Sequence, residues 1–303
     1  MLHAFSHAWS SVTSSVLTEI KENEMKLKSA CMAVGSALAL VSTAASAYTV
    51  GGINFGSNAA MSHFENTTVY ESVVNQPGDI LTGYGLVTSV NSIGNYGMGQ
   101  YSLYFEFQYK VDSITSQVVQ FSSGTMNIYR LAQDALDLTN LTPSAAKTAI
   151  EAGTKWVQFT GHDNVALATP LGASISSTTQ LFGEGSVIGA ALSFSGRGLA
   201  DVVAGWGMAD VEYALDTSKQ PDVAGGFADV ELSSTGTSTG TAPGAQCTPI
   251  RLDSGQVILP TGEFCISGST NIKGNFIPEP SGLALVGLGL LGAGIIRRRK
   301  PQA

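Results

Sequence analysis

Charge is scarce in this chain of 303 residues: only 13% of positions are Asp, Glu, Lys or Arg, and just four are His. Three Cys and four His supply little material for a thiolate or imidazole metal centre. Between positions 48 and 280 stand eight basic residues against twenty acidic ones, a balance of −12, and the sequence pI is about 4.9. That sign of charge repels a phosphate backbone, so nucleic acid is excluded as a partner. Glycine is plentiful, with 35 residues, but it lacks the three-residue period of collagen. Hydrophobic content of 44% is too high for a disordered chain and ample for a packed core.

The long uncharged runs lie at the two ends. Lys26 and Lys28 precede an apolar stretch from Ala30 to Val41, and Ala45-Ser46-Ala47 then offers small residues for cleavage. These are the three parts of a secretory signal peptide, 25–47, read by the Sec machinery and signal peptidase, with Tyr48 as the mature amino terminus. Residues 1–24 fit no part of it. Lys21-Glu22 is one translation of a ribosome-binding sequence, so translation is expected to begin at Met25; the alternative is a long n-region. Cys31 precedes the apolar run, so no lipoprotein site is expected. Cys247 and Cys265 remain as an even pair in an exported protein, which points to one disulfide.

At the other end, Pro278-Glu279-Pro280 is followed by the uncharged stretch Ser281 to Ile296 and then by Arg297-Arg298-Arg299-Lys300. A rigid motif, a membrane helix and a basic cytoplasmic stop follow from these residues. Sixteen residues are short for a span, so flanking residues or local thinning must contribute. This three-part end resembles the PEP-CTERM sorting domain of Gram-negative bacteria, a region sometimes labelled the carboxyl-terminal domain of ice-binding proteins. The resemblance implies recognition by exosortase, a transient inner-membrane anchor, and a final place at the cell surface or in an extracellular matrix associated with biofilm and exopolysaccharide. It covers only about the last 26 residues. The alternative is an ordinary single-pass tail anchor. Leu259-Pro260-Thr261-Gly262 is read as a turn.

Residues 48–232 read as a β-rich body. In Gln100 to Val111, residues Tyr101, Leu103, Phe105, Phe107 and Tyr109 fall on one face, with Ser102, Glu106 and Gln108 opposite. Tyr104 breaks the polar side and is expected to pack on a neighbouring loop. Further strands are expected at Thr67–Val74, Leu81–Val90, Thr125–Leu131, Lys155–Thr160, Val187–Ser195, Asp210–Asp216 and Phe227–Leu232. One short helix is expected from Ser144 to Ala152, with Thr142 as cap, Pro143 in the first turn and Gly153 at its end. Together these predict a mainly β sandwich or jelly-roll. Residues 233–244 read as a Ser/Thr/Gly linker to a disulfide-containing segment, 245–277, with an extended or hairpin stretch between the cysteines.

Candidate chemistry in the body is sparse. His162, in Gly161-His162-Asp163-Asn164, reads as a turn residue, and no Gly-x-Ser-x-Gly elbow accompanies it. Between 201 and 231 stand seven carboxylates and one Lys. On a strand, Asp210, Glu212 and Asp216 share one face, and Asp229 and Glu231 another. They read as a solvated acidic face, with a weak Ca²⁺ site or a glycosidase pair as alternatives. No other cofactor is expected. The function expected is that of a non-enzymatic surface or matrix protein. A carbohydrate-binding module, using Trp156 and Trp206, is the alternative, and a secreted hydrolase a third.

Overall fold

The stretch with alternating aromatics forms a strand of 14 residues in the computed structural model, which describes residues 48–57, 60–238, 247–254 and 257–277. Its neighbours complete one antiparallel sheet: β1 (Met61–Glu71), β2 (Ile80–Leu86), β3 (Tyr101–Ile114), β4 (Val118–Ala132), β5 (Thr154–Gly161), β6 (Leu181–Ser186), β7 (Ser193–Val202), β8 (Val230–Thr237) and β9 (Ile266–Asn275). Strands adjacent in sequence are adjacent in space, and β9 pairs back onto β1 from Ile266↔Glu71 to Asn275↔Met61. The sheet therefore closes on itself as an up-and-down barrel. β5 and β6 share one stave: β5 lies against Thr125–Arg130 of β4, β6 against Val118–Phe121, and β7 pairs with both.

This corrects the sandwich or jelly-roll expectation. Alternation along a strand reports one buried face and one exposed face, which a barrel and a sandwich share. Closure depends on what fills the lumen. Leu103, Phe105, Phe107, Tyr109 and Val111 point inward from β3 and are buried. Opposite Phe107 and Phe105 in register stand Gly83 and Gly85, and Gly124 lies against Tyr109. A Cβ at Gly83 would come within 2.2 Å of the Phe107 ring. Glycine on the wall thus makes room for a ring in the lumen. Each buried ring contributes roughly 1.5–3 kcal/mol.

Outside the barrel, α1 (Pro143–Glu151) begins where expected, with the Thr142 hydroxyl accepting from the Ala145 amide at 3.4 Å. Its buried Ala146 and Ile150 cover Tyr70, Tyr84, Tyr104 and Tyr129. Tyr104 lies on the outer face for this reason, and its hydroxyl donates to Leu136 O at 3.2 Å. Two strand expectations are corrected: of Val187–Ser195 only Ser193–Ser195 are in a strand, as the start of β7, and Asp210–Asp216 is not a strand at all. Residues 187–192 form the turn between β6 and β7, and Asp210–Asp216 is replaced by α2 (Ala209–Leu215). Val211, Ala214 and Leu215 fit a helical period as well as Val211, Tyr213 and Leu215 fit a strand. Burial decides, because Ala214 is buried and Tyr213 is 58% exposed.

The linker expectation is also corrected. Ser233–Thr237 belong to β8 and pair with β7 on one side and β9 on the other. Hydroxyls link the ladder, as in Thr235 Oγ1 to Ser269 Oγ at 3.0 Å. Residues 239–246 lie outside the described residues. The carboxyl-terminal segment is accordingly part of the body, since its strand β9 closes the barrel. The Cys247–Cys265 disulfide is present, with Cα atoms 5.0 Å apart, and a hairpin pairing Ile250–Arg251 with Val257–Ile258 lies within its loop. Closing that loop stabilises by roughly 3 kcal/mol in the chain-entropy model. Among the described residues no helix is long and apolar enough to cross a membrane.

Candidate functional site

One mouth of the barrel lies where β1 begins and β9 ends, and there the two ends of the body meet. The Tyr48 ring stands edge-on to Phe276 at 4.5 Å, and its hydroxyl donates to Ile277 O at 3.3 Å. Phe55 packs on Phe276 at 4.6 Å. The backbone turns at Gly51, where φ is +56° and a Cβ would meet Trp156 Nε1 at 2.4 Å. The freed Gly51 carbonyl accepts from Trp156 Nε1 at 3.3 Å and from Arg130 Nη1 at 2.6 Å. α2 completes the plug with Val211, Ala214 and Leu215. The residue expected to be the mature amino terminus is thus packed against the last residues before the Pro-Glu-Pro motif.

The acidic residues from Asp201 to Glu231 do not share a face. Asp210 Oδ2 accepts from Gly51 N at 3.0 Å, and Glu212 accepts from the Gly205 and Gly207 amides. Asp229 takes three backbone amides, those of Val202, Thr217 and Ser218, at 2.7–2.8 Å. Glu231 pairs with Arg197 at 2.8 Å. Burial, then Asp229 and Asp201, push the Asp216 carboxyl up. The five Ca²⁺ candidates are dispersed, and four of them hold loops or neighbouring strands by hydrogen bonds. Among the described residues, the one convergent group of metal-type ligands is Cys247, Glu263 and Cys265, whose thiols are spent in the disulfide.

The cluster that does form was hidden in the sequence. His162 directly follows β5, and Asp201 Oδ2 lies 2.7 Å from its Nδ1, Asp222 Oδ2 3.1 Å from its Nε2. Burial disfavours the imidazolium, but the two carboxylates outweigh it and raise the His162 pKa. His162 in turn is the leading cause holding the Asp222 carboxyl below its ordinary range. The partners lie 39 and 60 residues away in sequence, so only the barrel's register brings them together. The turn reading located His162 but not its role as a clamp between β7 and the loop after α2. His63, the other histidine of the body, stands 3.4 Å from Glu65 on β1.

The chain carries a PEP-CTERM protein-sorting motif. The family's pattern matches residues 276–300, beginning one residue after β9 ends. Such a motif marks a protein that is exported and sorted by exosortase at the membrane. Pro278, Glu279 and Pro280, the stretch 281–296, the basic stop Arg297, Arg298, Arg299 and Lys300, and the cleavage residues Ala45 and Ala47 lie outside the described residues. So do the remainder of the expected signal peptide, 25–47, and residues 1–24. No curated protein matches the chain.

The outer surface of the barrel holds the remaining candidate groups. Trp156 is fully buried against Phe55 and Phe64, so it cannot stack on a sugar. Trp206 is half-buried, edge-on to Tyr129 at 5.4 Å, with Lys155 5.0 Å from its ring. A cleft of about 590 Å³ opens elsewhere, between the start of α1 and the disulfide loop. Thr82, Tyr84, Glu106, Lys147, Thr248 and Phe264 line it. Glu106 accepts from Asn127 and Tyr129, and its other oxygen lies 3.5 Å from Lys147 Nζ. The buried Tyr84 hydroxyl has no hydrogen-bond partner among the described residues, and burial pushes its pKa up to about 12.

Proposed function

We propose that this protein is an exported barrel, released from the inner membrane by exosortase, that works as a non-enzymatic component of the cell surface or of the extracellular polymer layer formed in biofilms. The observation that carries the reading is the sorting motif at 276–300, joined to the last strand without a spacer. The packing of Tyr48 on Phe276 supports it, because the residue after the expected signal-peptide cleavage and the first residue of the sorting motif then lie at one mouth of the barrel. A carboxylate on each ring nitrogen of His162 supports the absence of catalysis, since neither nitrogen is left to activate a nucleophile. Replacing Pro278-Glu279-Pro280 with alanines should hold the full-length form in the inner membrane. Arrival at the surface in normal size and amount overturns the reading.

A second reading, a carbohydrate-binding module, is favoured by the cleft at Tyr84 and Phe264 and not by either tryptophan. Its volume lies in the usual range for small-ligand sites, and it combines aromatic rings with hydroxyl, carboxylate and ammonium groups. A glycan array probed with the exported protein separates the two readings. Saturable binding that Phe264→Ala abolishes supports the module.

A further inference from the structure

An eight-staved barrel is just wide enough for its side chains to fill, or to hold one small ligand. Here the filling is incomplete at one place. Toward the mouth where β1 ends and β9 begins, four neighbouring strands place small residues in register: Gly183, Gly196, Ser234 and Thr270. All four line a cavity of about 50 Å³. Leu81, Phe107, Tyr109, Phe121 and Met126 also line it. The lining thus combines a row of small residues, two of them hydroxylated, with large, mainly apolar side chains.

Two polar groups in this wall are orphaned. Glu71, the last residue of β1, is 3% exposed and lines the cavity, and among the described residues its Oε2 has no hydrogen-bond partner. The Tyr109 hydroxyl is likewise buried without a partner. A buried polar group left unmatched costs about 1–3 kcal/mol, so two beside one cavity call for an explanation. Among the described residues no Lys, Arg or His lines the cavity to pair with the carboxyl. A void of this size exceeds the ~10–15 Å³ that one water needs, while its apolar walls give water few partners.

We propose that the barrel lumen is a binding site for a small, mainly apolar molecule bearing one hydroxyl, which donates its hydrogen bond to Glu71 while its carbon chain lies against Leu81, Phe121 and Met126. Ligands of four to five heavy atoms, or the hydroxylated end of a longer chain, match the space. Burial holds the Glu71 pKa near 7, so the neutral carboxyl can accept from the ligand and donate to it in turn. Val187 and Leu192, the first and last residues of the turn between β6 and β7, also line the cavity. This site is separate from the outer cleft and from the sorting motif, and it stands whether or not exosortase processes the chain.

The test uses the purified full chain and two probes of equal heavy-atom count, 1-butanol and 1-chlorobutane. Butanol should bind saturably by ligand-observed NMR and raise the melting temperature by about 2–4 °C at ten times its Kd. Chlorobutane, lacking the donor, should bind at least tenfold more weakly. Ser234→Leu, which fills the cavity, should fold and lose the butanol response. Should that variant fail to fold, Ser234→Val supplies the same readout with a smaller side chain. Equal responses to the two probes, or an undiminished butanol response in the filled variant, overturn the proposal. Absence of saturable butanol binding also overturns it, leaving a cavity for water only.

Discussion

The two mouths of the barrel are built from opposite materials. At the one closed by Tyr48, Phe55, α2 and Phe276, rings meet rings, and Trp156 stands 5.7 Å from Phe64 and 6.5 Å from Phe55. Glycine there serves the packing, since Gly51 turns the chain so that its carbonyl can take the indole N–H. At the other mouth Gly83, Gly124 and Gly236 receive the rings of Phe107, Tyr109 and Phe194, but no ring stands against Gly196. Gly183 and Gly196 face each other in register beside Ser234, and a cavity with an unmatched carboxyl results. One composition, rich in Gly and aromatics, thus yields a dense plug at one mouth and, where Gly183, Gly196 and Ser234 stand side by side, a void at the other.

The largest effect expected from this contrast is at Trp156. Trp156→Ala removes a fully buried side chain from the dense mouth and leaves the Gly51 carbonyl one donor short. It should cost about 3–5 kcal/mol by denaturant unfolding. Trp156→Phe, keeping most of the apolar contact, should cost less than half of that. Equal and small losses for both would mean that the ring cluster is loosely packed, and the contrast between the two mouths would fail.

At the other mouth the expected effect changes with pH. Burial raises the Glu71 carboxyl from 4.5 to about 7. Below pH ~4.5 the carboxyl is protonated both folded and unfolded and has no influence. Between ~4.5 and ~7 the unfolded chain has released its proton and the folded chain has not, so stability falls as pH rises. Above ~7 the full penalty applies, on the order of 3 kcal/mol. Glu71→Gln should remove this slope and be more stable than the natural chain at pH 8, by up to that amount, while differing little at pH 4. A parallel pH dependence in the two proteins would show that Glu71 is solvated.

How far the sequence disclosed this architecture differs between the same two regions. The lumen side of β3 was legible because Leu103, Phe105, Phe107 and Tyr109 repeat every second residue, and α1 because Thr142 and Pro143 mark its start. The small-residue wall was not. Gly183, Gly196, Ser234 and Thr270 lie on four strands, and their row exists only through inter-strand register, which local pattern does not encode. Ser233–Thr237 read as a linker because Ser, Thr and Gly suit both loops and a wall with little lumen volume to fill. The acidic run suggested a shared face because its spacing suits a strand, whereas α2 turns those residues in different directions. The sorting motif was legible in full, being a contiguous code of rigid, apolar and basic segments.

The smallest expected effect is at His162, and it needs Glu71 out of the way. Two carboxylates raise the His162 pKa above its ordinary 6.5 despite partial burial. The stabilisation is therefore complete below pH ~6.5 and is lost as pH rises through the folded-state value. Its sign matches the Glu71 slope, but its window begins near where the other ends. In the Glu71→Gln background, a residual loss of stability between pH 6.5 and pH 8 should remain, below about 1 kcal/mol for a site with one partner so open to solvent. Adding His162→Gln should abolish that remainder and lower stability at pH 6, because β7 and the loop carrying Asp222 lose their shared cation. Local opening should follow, and hydrogen exchange at Ala224 and Gly226, whose amides Asp222 holds at 2.7–2.8 Å, should quicken with rising pH. If the double variant keeps the pH slope, the slope arises elsewhere among the acidic loops. The clamp between Asp201 and Asp222 would then be a neutral hydrogen-bonded contact.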